Sequence, residues 1–194
     1  MVDLVADPNF AHALLDKVTK IHIGMWQNFL DVVGGYVDVV ETADDLGTQN
    51  SLLISPRLYR KMIKPYHAAL NAAIREKTGA KIFFHSCGAV MPRIEDLIET
   101  GVDILNPIQP LSGLMEPDEL QKRFGDRLIF HGGLDVQNLL PEGDLEQVKR
   151  HVRKYYESLG WERYIMAPTN TILPGTPPEN IVAAFKEAKL SGLV

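Results

Sequence analysis

The amino-acid sequence predicts an α/β protein built around a parallel β-sheet. From Tyr36 onwards, short apolar or β-branched runs alternate with longer segments of helical periodicity. Glycine and charged residues occupy most of the joints where a helix gives way to a strand. Polar side chains follow the strands, which is where parallel α/β folds carry their sites. The pattern is therefore one helix followed by strand–helix units.

The first predicted element is a long helix that starts at Asp7-Pro8 and ends at Gly34-Gly35. Aspartate is a good N-cap, proline suits the first helical position, and glycine favours the helix end. Its predicted buried stripe consists of Ala11, Leu14, Leu15, Val18, Ile21, Met25 and Phe29.

A strand over Tyr36–Val40 and a second long helix are predicted next. Ser55-Pro56 starts this helix and Gly79 stops it, and Pro65 should kink it because proline breaks the helical hydrogen-bond ladder. Its predicted buried stripe consists of Tyr59, Ile63, Tyr66, Leu70 and Ile74.

The rest of the chain repeats this alternation. The predicted strands are Lys81–Phe84, Val102–Leu105, Leu128–Phe130 and Tyr164–Met166. The predicted helices are Met91–Thr100, Pro117–Phe124, one that begins at Asp144 and stops at Gly160, and one that begins at Thr176 and ends near Leu190. Asp144 with Gln147, and Thr176 with Glu179, have the spacing of capping boxes.

Composition excludes several classes of function. The chain has 194 residues, of which 45% are hydrophobic and 23% charged, as in an ordinary globular domain. The net charge of −5 leaves no basic excess to attract nucleic acid, and no apolar run reaches the ~20 residues of a membrane span. The N-terminal residues lack a signal-peptide pattern and there is a single cysteine, so we expect a cytoplasmic protein.

The segment Lys81–Gly88 is the strongest candidate for a functional site. A buried strand leads directly into His85 and Cys87, whose side chains would point to the same side of an extended backbone. Imidazole and thiolate are both zinc ligands. The alternative is a hydrogen-bonded core histidine beside a small buried cysteine.

Other polar residues follow the remaining strands. They are Glu41, Asp44, Asp45, Asn106, Gln109, His131, Asp135 and Asn170. Several have a structural alternative. The three acidic residues, Glu41, Asp44 and Asp45, would form a turn with an Asx hydrogen bond before Gly47. His131 would be hydrogen-bonded at a barrel mouth, and Asn170 would bond its own loop.

Alternating strands and helices would also suit a (β/α)8 barrel, which has eight strands. About five strands cannot close such a barrel. We therefore expect the chain to be either a fragment or one of two copies that complete each other.

Five motifs occur along the chain in this order: His85-Ser86-Cys87-Gly88, Gly101-Val102-Asp103, His131-Gly132-Gly133-Leu134-Asp135, Ala167-Pro168 and Thr176-Pro177-Pro178-Glu179-Asn180. Together they resemble the uroporphyrinogen decarboxylase superfamily, which includes cobalamin-dependent methyltransferases. The resemblance implies a partial (β/α)8 TIM barrel, with about five C-terminal βα units behind a long N-terminal helix. It also implies that residues 1–194 form a single domain, the C-terminal part of such a barrel.

The resemblance implies a zinc site at His85 and Cys87, as in the methyltransferase branch. There zinc activates a thiol that accepts a methyl group from methylcobalamin or another corrinoid, often on a corrinoid protein. Asn170 stands where that branch has a third ligand, a cysteine, so we expect a replacement among Asp45, Glu41 and His131. The expected catalytic residues are Asp45, His131 and Asn170. The expected substrate-binding residues are Glu41, Asn106, Gln109 and Asp135.

Three hypotheses follow from the sequence. The first is zinc-dependent methyl transfer from a corrinoid to a thiol. The second is metal-free decarboxylation of uroporphyrinogen or a related tetrapyrrole. The third is a truncated barrel without activity that binds a tetrapyrrole or a corrinoid partner. In each case the open side of the sheet should favour a homo-oligomer.

Overall fold

The computed structural model describes residues 2–110 and 115–191, which form nine α-helices, one 3-10 turn and five strands. The strands are β1 (Val39–Ala43), β2 (Lys81–His85), β3 (Ile104–Ile108), β4 (Ile129–Leu134) and β5 (Tyr164–Pro168). The helices are α1 (Asp3–Ala6), α2 (Pro8–Val33), α3 (Pro56–Met62), α4 (Lys64–Arg75), α5 (Ile94–Glu99), α6 (Pro117–Phe124), α7 (Leu139–Glu142), α8 (Leu145–Leu159) and α9 (Pro178–Ser191). The 3-10 turn, Met91–Arg93, precedes α5.

The strands form one parallel sheet in the order β1-β2-β3-β4-β5, as the alternation of elements predicts. Consecutive strands are neighbours, and each helical connection returns the chain to the end of the sheet at which the previous strand began. Within the described residues, β1 and β5 each have a partner on one side only. The sheet is therefore open at both margins.

The core lies between one face of the sheet and the helices. Val40, Ile82, Phe84, Leu105 and Phe130 are buried on this face. Side chains alternate between faces along a strand, so the intervening residues, including Glu41 and His85, are directed to the other face. That other face carries some of the polar side chains predicted to form a site.

Helix α2 corrects the prediction of a buried stripe. Its buried residues are Ala11 and Leu30, and Leu15 is half-buried. The other residues of the predicted stripe are 40–64% exposed. They are Leu14, Val18, Ile21, Met25 and Phe29, and we call them the α2 apolar face. A cavity of about 420 Å3 separates α2 from the end of β1. The helix packs mainly on α4, and the residues described include no strand beyond β1 to receive the α2 apolar face.

Most helix boundaries agree with the sequence signals. The helix is interrupted at Ile63, two residues before Pro65. The predicted kink therefore divides one helix into α3 and α4. Asp144 and Gln147 make both hydrogen bonds of a capping box at the start of α8. The capping box predicted at Thr176 is wrong: α9 begins at Pro178, and the Thr176 hydroxyl is buried without a hydrogen-bond partner.

The strands begin or end later than predicted. The first strand starts at Val39 rather than Tyr36 and includes Glu41. The third and fourth extend far enough to include Asn106 and His131, which were expected in loops. Pairing with neighbouring strands holds these polar residues in extended backbone, and it fixes the spacing of the candidate site.

None of the helices in residues 2–110 and 115–191 has both the length and the apolar character needed to span a membrane.

Candidate functional site

The candidate site lies at the C-terminal ends of β1, β2, β3 and β4. His85 ends β2, and it is in register with Ala43 of β1 and Asn106 of β3. His131 lies on β4, and Asp45 follows β1 by two residues. Because the strands are parallel, these ends meet at one edge of the sheet.

Asp45, His85 and Cys87 form a compact group of potential metal ligands. One ligand atom from each, a carboxylate oxygen, an imidazole nitrogen and the thiol sulfur, lies within 4.8 Å of the others. His85 Nε2 is 3.5 Å from Cys87 Sγ and 3.9 Å from Asp45 Oδ1. Small adjustments would bring all three to zinc-ligand distances of about 2.0–2.3 Å from one point.

The β1–α3 and β2–α5 loops hold this group by packing against each other. The amide of Cys87 donates to Asp45 Oδ1 at 2.9 Å, and the amide of Leu46 donates to the buried Ser86 hydroxyl at 3.0 Å. Gly88 has φ +91°, and a Cβ there would lie 2.4 Å from the Thr48 carbonyl oxygen. Glycine at this position therefore permits the close approach that brings Asp45 to Cys87.

Burial and a neighbouring negative charge both act on the Cys87 thiol. Burial raises the pKa of Cys87, and the Asp45 carboxylate raises it further. Without a cation the side chain therefore remains a thiol at neutral pH. A divalent metal would reverse this balance, because a coordinating thiol is deprotonated. The donor set fits zinc, which accepts sulfur, nitrogen and oxygen ligands.

His131 is connected to His85 through a single side chain. Asn106 Oδ1 is 2.6 Å from His85 Nδ1, and Asn106 Nδ2 is 2.7 Å from His131 Nδ1. Burial lowers the pKa of His131, and the charge of Glu41 opposes this shift in part. The His131 ring also meets Phe83 edge to face, with centroids 5.0 Å apart. His131 is thus a neutral imidazole held in a fixed plane.

Three other predicted site residues accept hydrogen bonds from loop backbone. Both carboxylate oxygens of Asp135 accept backbone amides of its own loop, from Gln137, Asn138 and Leu139. The Asn170 side-chain oxygen accepts the amide of Thr171 at 2.7 Å. Gln109 accepts the amide of Gly88 at 2.8 Å. These contacts favour supporting roles for the three side chains.

Two histidines that carried no sequence signal also contribute near the strand ends. His67 on α4 lies 3.3 Å from the Asp44 carboxylate and 3.0 Å from the Tyr59 hydroxyl, and so anchors the loop that carries Asp45. His151 on α8 is 2.7 Å from the Gly133 carbonyl oxygen at the end of β4. Neither histidine stands at a metal-ligand spacing in the sequence. Their partners lie on other elements, which only the fold brings close.

A family model described as uroporphyrinogen decarboxylase (URO-D) matches residues 1–190. The chain belongs to the uroporphyrinogen decarboxylase family. Uroporphyrinogen decarboxylase of Prochlorococcus marinus (strain MIT 9312) is 28% identical over 186 residues, which cover 94% of this chain and 49% of the relative. Methylated-thiol–coenzyme M methyltransferase of Methanosarcina mazei is 26% identical over 183 residues, 94% of this chain and 45% of the relative.

A solved structure shows the same fold. A methyltransferase from Methanosarcina mazei superposes with a TM-score of 0.77 at 22% identity, over 98% of this chain and 52% of that structure. The chain thus spans about half the length of the relatives it matches. The predicted partial (β/α)8 barrel and the predicted family are both confirmed.

Proposed function

We propose that this chain is part of a zinc-dependent enzyme that transfers a methyl group from a corrinoid to a thiol. Its main support is that one ligand atom each from Asp45, His85 and Cys87 lies within 4.8 Å of the others. Three protein ligands with a fourth position left for substrate is the ligand count of catalytic zinc. In this proposal Asp45 replaces the third ligand that Asn170 does not supply.

The side chains of the site have distinct roles in this proposal. Zinc, when bound, supplies a positive charge that lowers the pKa of a coordinated thiol and so makes it nucleophilic. Asp45, His85 and Cys87 hold that charge, and the Cys87 amide keeps the Asp45 carboxylate in place at 2.9 Å. His131, neutral and half-buried, is positioned to contact the substrate beside the metal.

The methyl transfer needs only the two substrates, the methylated corrinoid and the thiol. The bond from the methyl carbon to cobalt breaks with both electrons remaining on the corrinoid, and a carbon–sulfur bond forms. The proton of the thiol leaves to solvent. The protein side chains do not change oxidation state, so no further reactant is needed.

A second candidate is metal-free decarboxylation of uroporphyrinogen or a related tetrapyrrole. It is favoured by the match to a decarboxylase at 28% identity. The charge of the site opposes it, because Glu41 and Asp45 are both exposed there and would repel a substrate with many carboxylates. We therefore place methyl transfer first.

The test is methyl transfer by the zinc-loaded protein, with methylcobalamin as donor and coenzyme M as acceptor thiol. Zinc-dependent loss of methylcobalamin absorbance, absent in Cys87→Ala and retained in His22→Ala, is the expected result. His22 is a suitable control because it is an exposed histidine on α2.

Two other outcomes point to the remaining hypotheses. Decarboxylation of uroporphyrinogen by the metal-free protein would replace methyl transfer with the second candidate. Zinc binding without turnover of either substrate would indicate a binding module, or half of a barrel that needs its other half. The chain spans about half the length of its relatives. We propose that residues 1–194 form a single domain, the C-terminal part of such a barrel.

A further inference from the structure

Asn106 lies between two histidines on neighbouring strands. It is in register with His85 across the β2–β3 pair, and its amide contacts both His85 Nδ1 and His131 Nδ1. It is only 9% exposed, on a strand whose five residues are all buried. Water therefore competes little for either of these hydrogen bonds.

We infer that Asn106 is a positioning residue whose side-chain amide sets the tautomers of His85 and His131 in opposite senses. An amide has two chemically different ends: the oxygen accepts and the nitrogen donates. A neutral imidazole carries one proton on one of its two nitrogens. An amide placed between two Nδ1 atoms must therefore give the two rings different tautomers.

The oxygen end determines the tautomer of His85. Asn106 Oδ1 lies 2.6 Å from His85 Nδ1, so Nδ1 carries the proton and donates it. The lone pair of the ring is then on Nε2. That atom faces Cys87 Sγ at 3.5 Å and Asp45 Oδ1 at 3.9 Å, so the ring presents a ligand atom to the centre of the group.

The nitrogen end determines the tautomer of His131. Asn106 Nδ2 lies 2.7 Å from His131 Nδ1 and donates to it, so the His131 proton is on Nε2. The edge-to-face contact with Phe83 fixes the plane of this ring. His131 consequently offers an N–H donor, suited to an oxygen atom of a substrate, whereas His85 offers an acceptor suited to a metal.

This inference deepens the proposed function, and it rests on that function only for its effect on metal binding. A hydrogen bond to the second nitrogen of a metal-binding histidine orients the ring, and losing it typically weakens metal affinity about 10–100-fold. The tautomers themselves are a property of the metal-free protein. They can be measured whether or not zinc binds.

The experiment is nitrogen-15 NMR of the metal-free protein with labelled histidine, recorded at a pH where the rings are neutral. The six histidines are assigned by single substitutions. The expected result is a protonated Nδ1 and unprotonated Nε2 in His85, and the reverse in His131. The opposite pair of tautomers, or an equal mixture in both rings, would overturn the inference.

The isosteric variant Asn106→Asp separates the two ends of the amide. A carboxylate accepts at both ends, so His85 should keep its proton on Nδ1 while the proton of His131 moves from Nε2 to Nδ1. An unchanged His131 would contradict the proposed role. The matched control is Asn71→Asp, which should leave both rings unchanged. Asn71 is a buried asparagine of α4 whose side chain donates to the Thr100 carbonyl oxygen.

Zinc affinity gives a second readout. Asn106→Leu, which removes both hydrogen bonds, should weaken zinc binding about 10–100-fold, whereas Asn106→Asp, which keeps the acceptor for His85, should weaken it much less. If the wild-type protein fails to bind zinc, the proposed function fails and the tautomer result stands. If zinc binds and the tautomers are reversed, only the role of Asn106 is lost.

Discussion

Helices α2 and α8 both carry a continuous apolar face, yet only one of these faces is buried. On α8, Val148, Val152, Tyr155 and Leu159 are buried, and the helix contacts α6, α9, β4 and β5. The α2 apolar face is 40–64% exposed, and α2 packs mainly on α4 beside the margin of the sheet. Periodicity thus identifies an apolar face, but neighbouring elements decide whether that face is buried.

The largest expected effect comes from a matched pair of leucines. Leu159 on α8 is 0% exposed and Leu14 on α2 is 52% exposed. Leu159→Ala should lower the free energy of unfolding by about 2–5 kcal/mol, because it leaves a cavity in the core. Leu14→Ala should change it by no more than about 0.5 kcal/mol. Urea denaturation at low protein concentration measures both, and equal losses would show that the α2 face is covered.

Self-association tests the α2 face directly. An apolar surface of this kind favours association, so we expect an oligomer by light scattering at micromolar concentration. Val18→Glu with Met25→Glu should raise the dissociation constant at least tenfold, since a buried charge at an interface costs more than about 1.4 kcal/mol.

Lys20→Glu is the control for this experiment, because Lys20 lies on the polar side of α2. It should leave the oligomer intact. A wild-type protein that is monomeric at micromolar concentration would contradict the expectation. Dissociation by Lys20→Glu alone would point to a charged interface instead of the α2 apolar face.

The smallest expected effect is a pH dependence that originates on the α8 side. Burial lowers the pKa of His151 in the folded protein, so the unfolded chain binds more protons as the pH falls through about 6.5. Stability should therefore decrease between pH 7.5 and 5.5. His151→Gln retains a donor for the Gly133 carbonyl oxygen and should reduce this slope, measured as the shift of thermal midpoint with pH. An unchanged slope would place the proton uptake elsewhere.

Much of the fold could be predicted because its signals are local. Asp144 with Gln147, Pro65 and Gly160 act within a few residues, and each has the predicted effect. Strand ends were less predictable, since pairing with neighbours extends them past the apolar run to Asn106 and His131. The exposure of α2 could not be predicted, because it depends on what lies beside β1.

The site shows the same division. His85 and Cys87 were predicted as metal ligands because residues two apart in an extended backbone point to the same side. Asp45 was predicted as a catalytic residue and, with Glu41 and His131, as a possible replacement ligand; the loop packing around Gly88 is what brings it to the other two. The amide of Asn106 between two histidines depends on register across three strands, which the sequence does not encode locally.

The zinc content of protein purified without chelator tests the central claim most directly. We expect about one zinc per chain in the wild type and in His22→Ala, and its loss in Cys87→Ala and in Asp45→Ala, with all four proteins folded by circular dichroism. Folded wild-type protein without zinc, even after zinc is added and excess removed, would contradict the claim that Asp45, His85 and Cys87 form a metal centre.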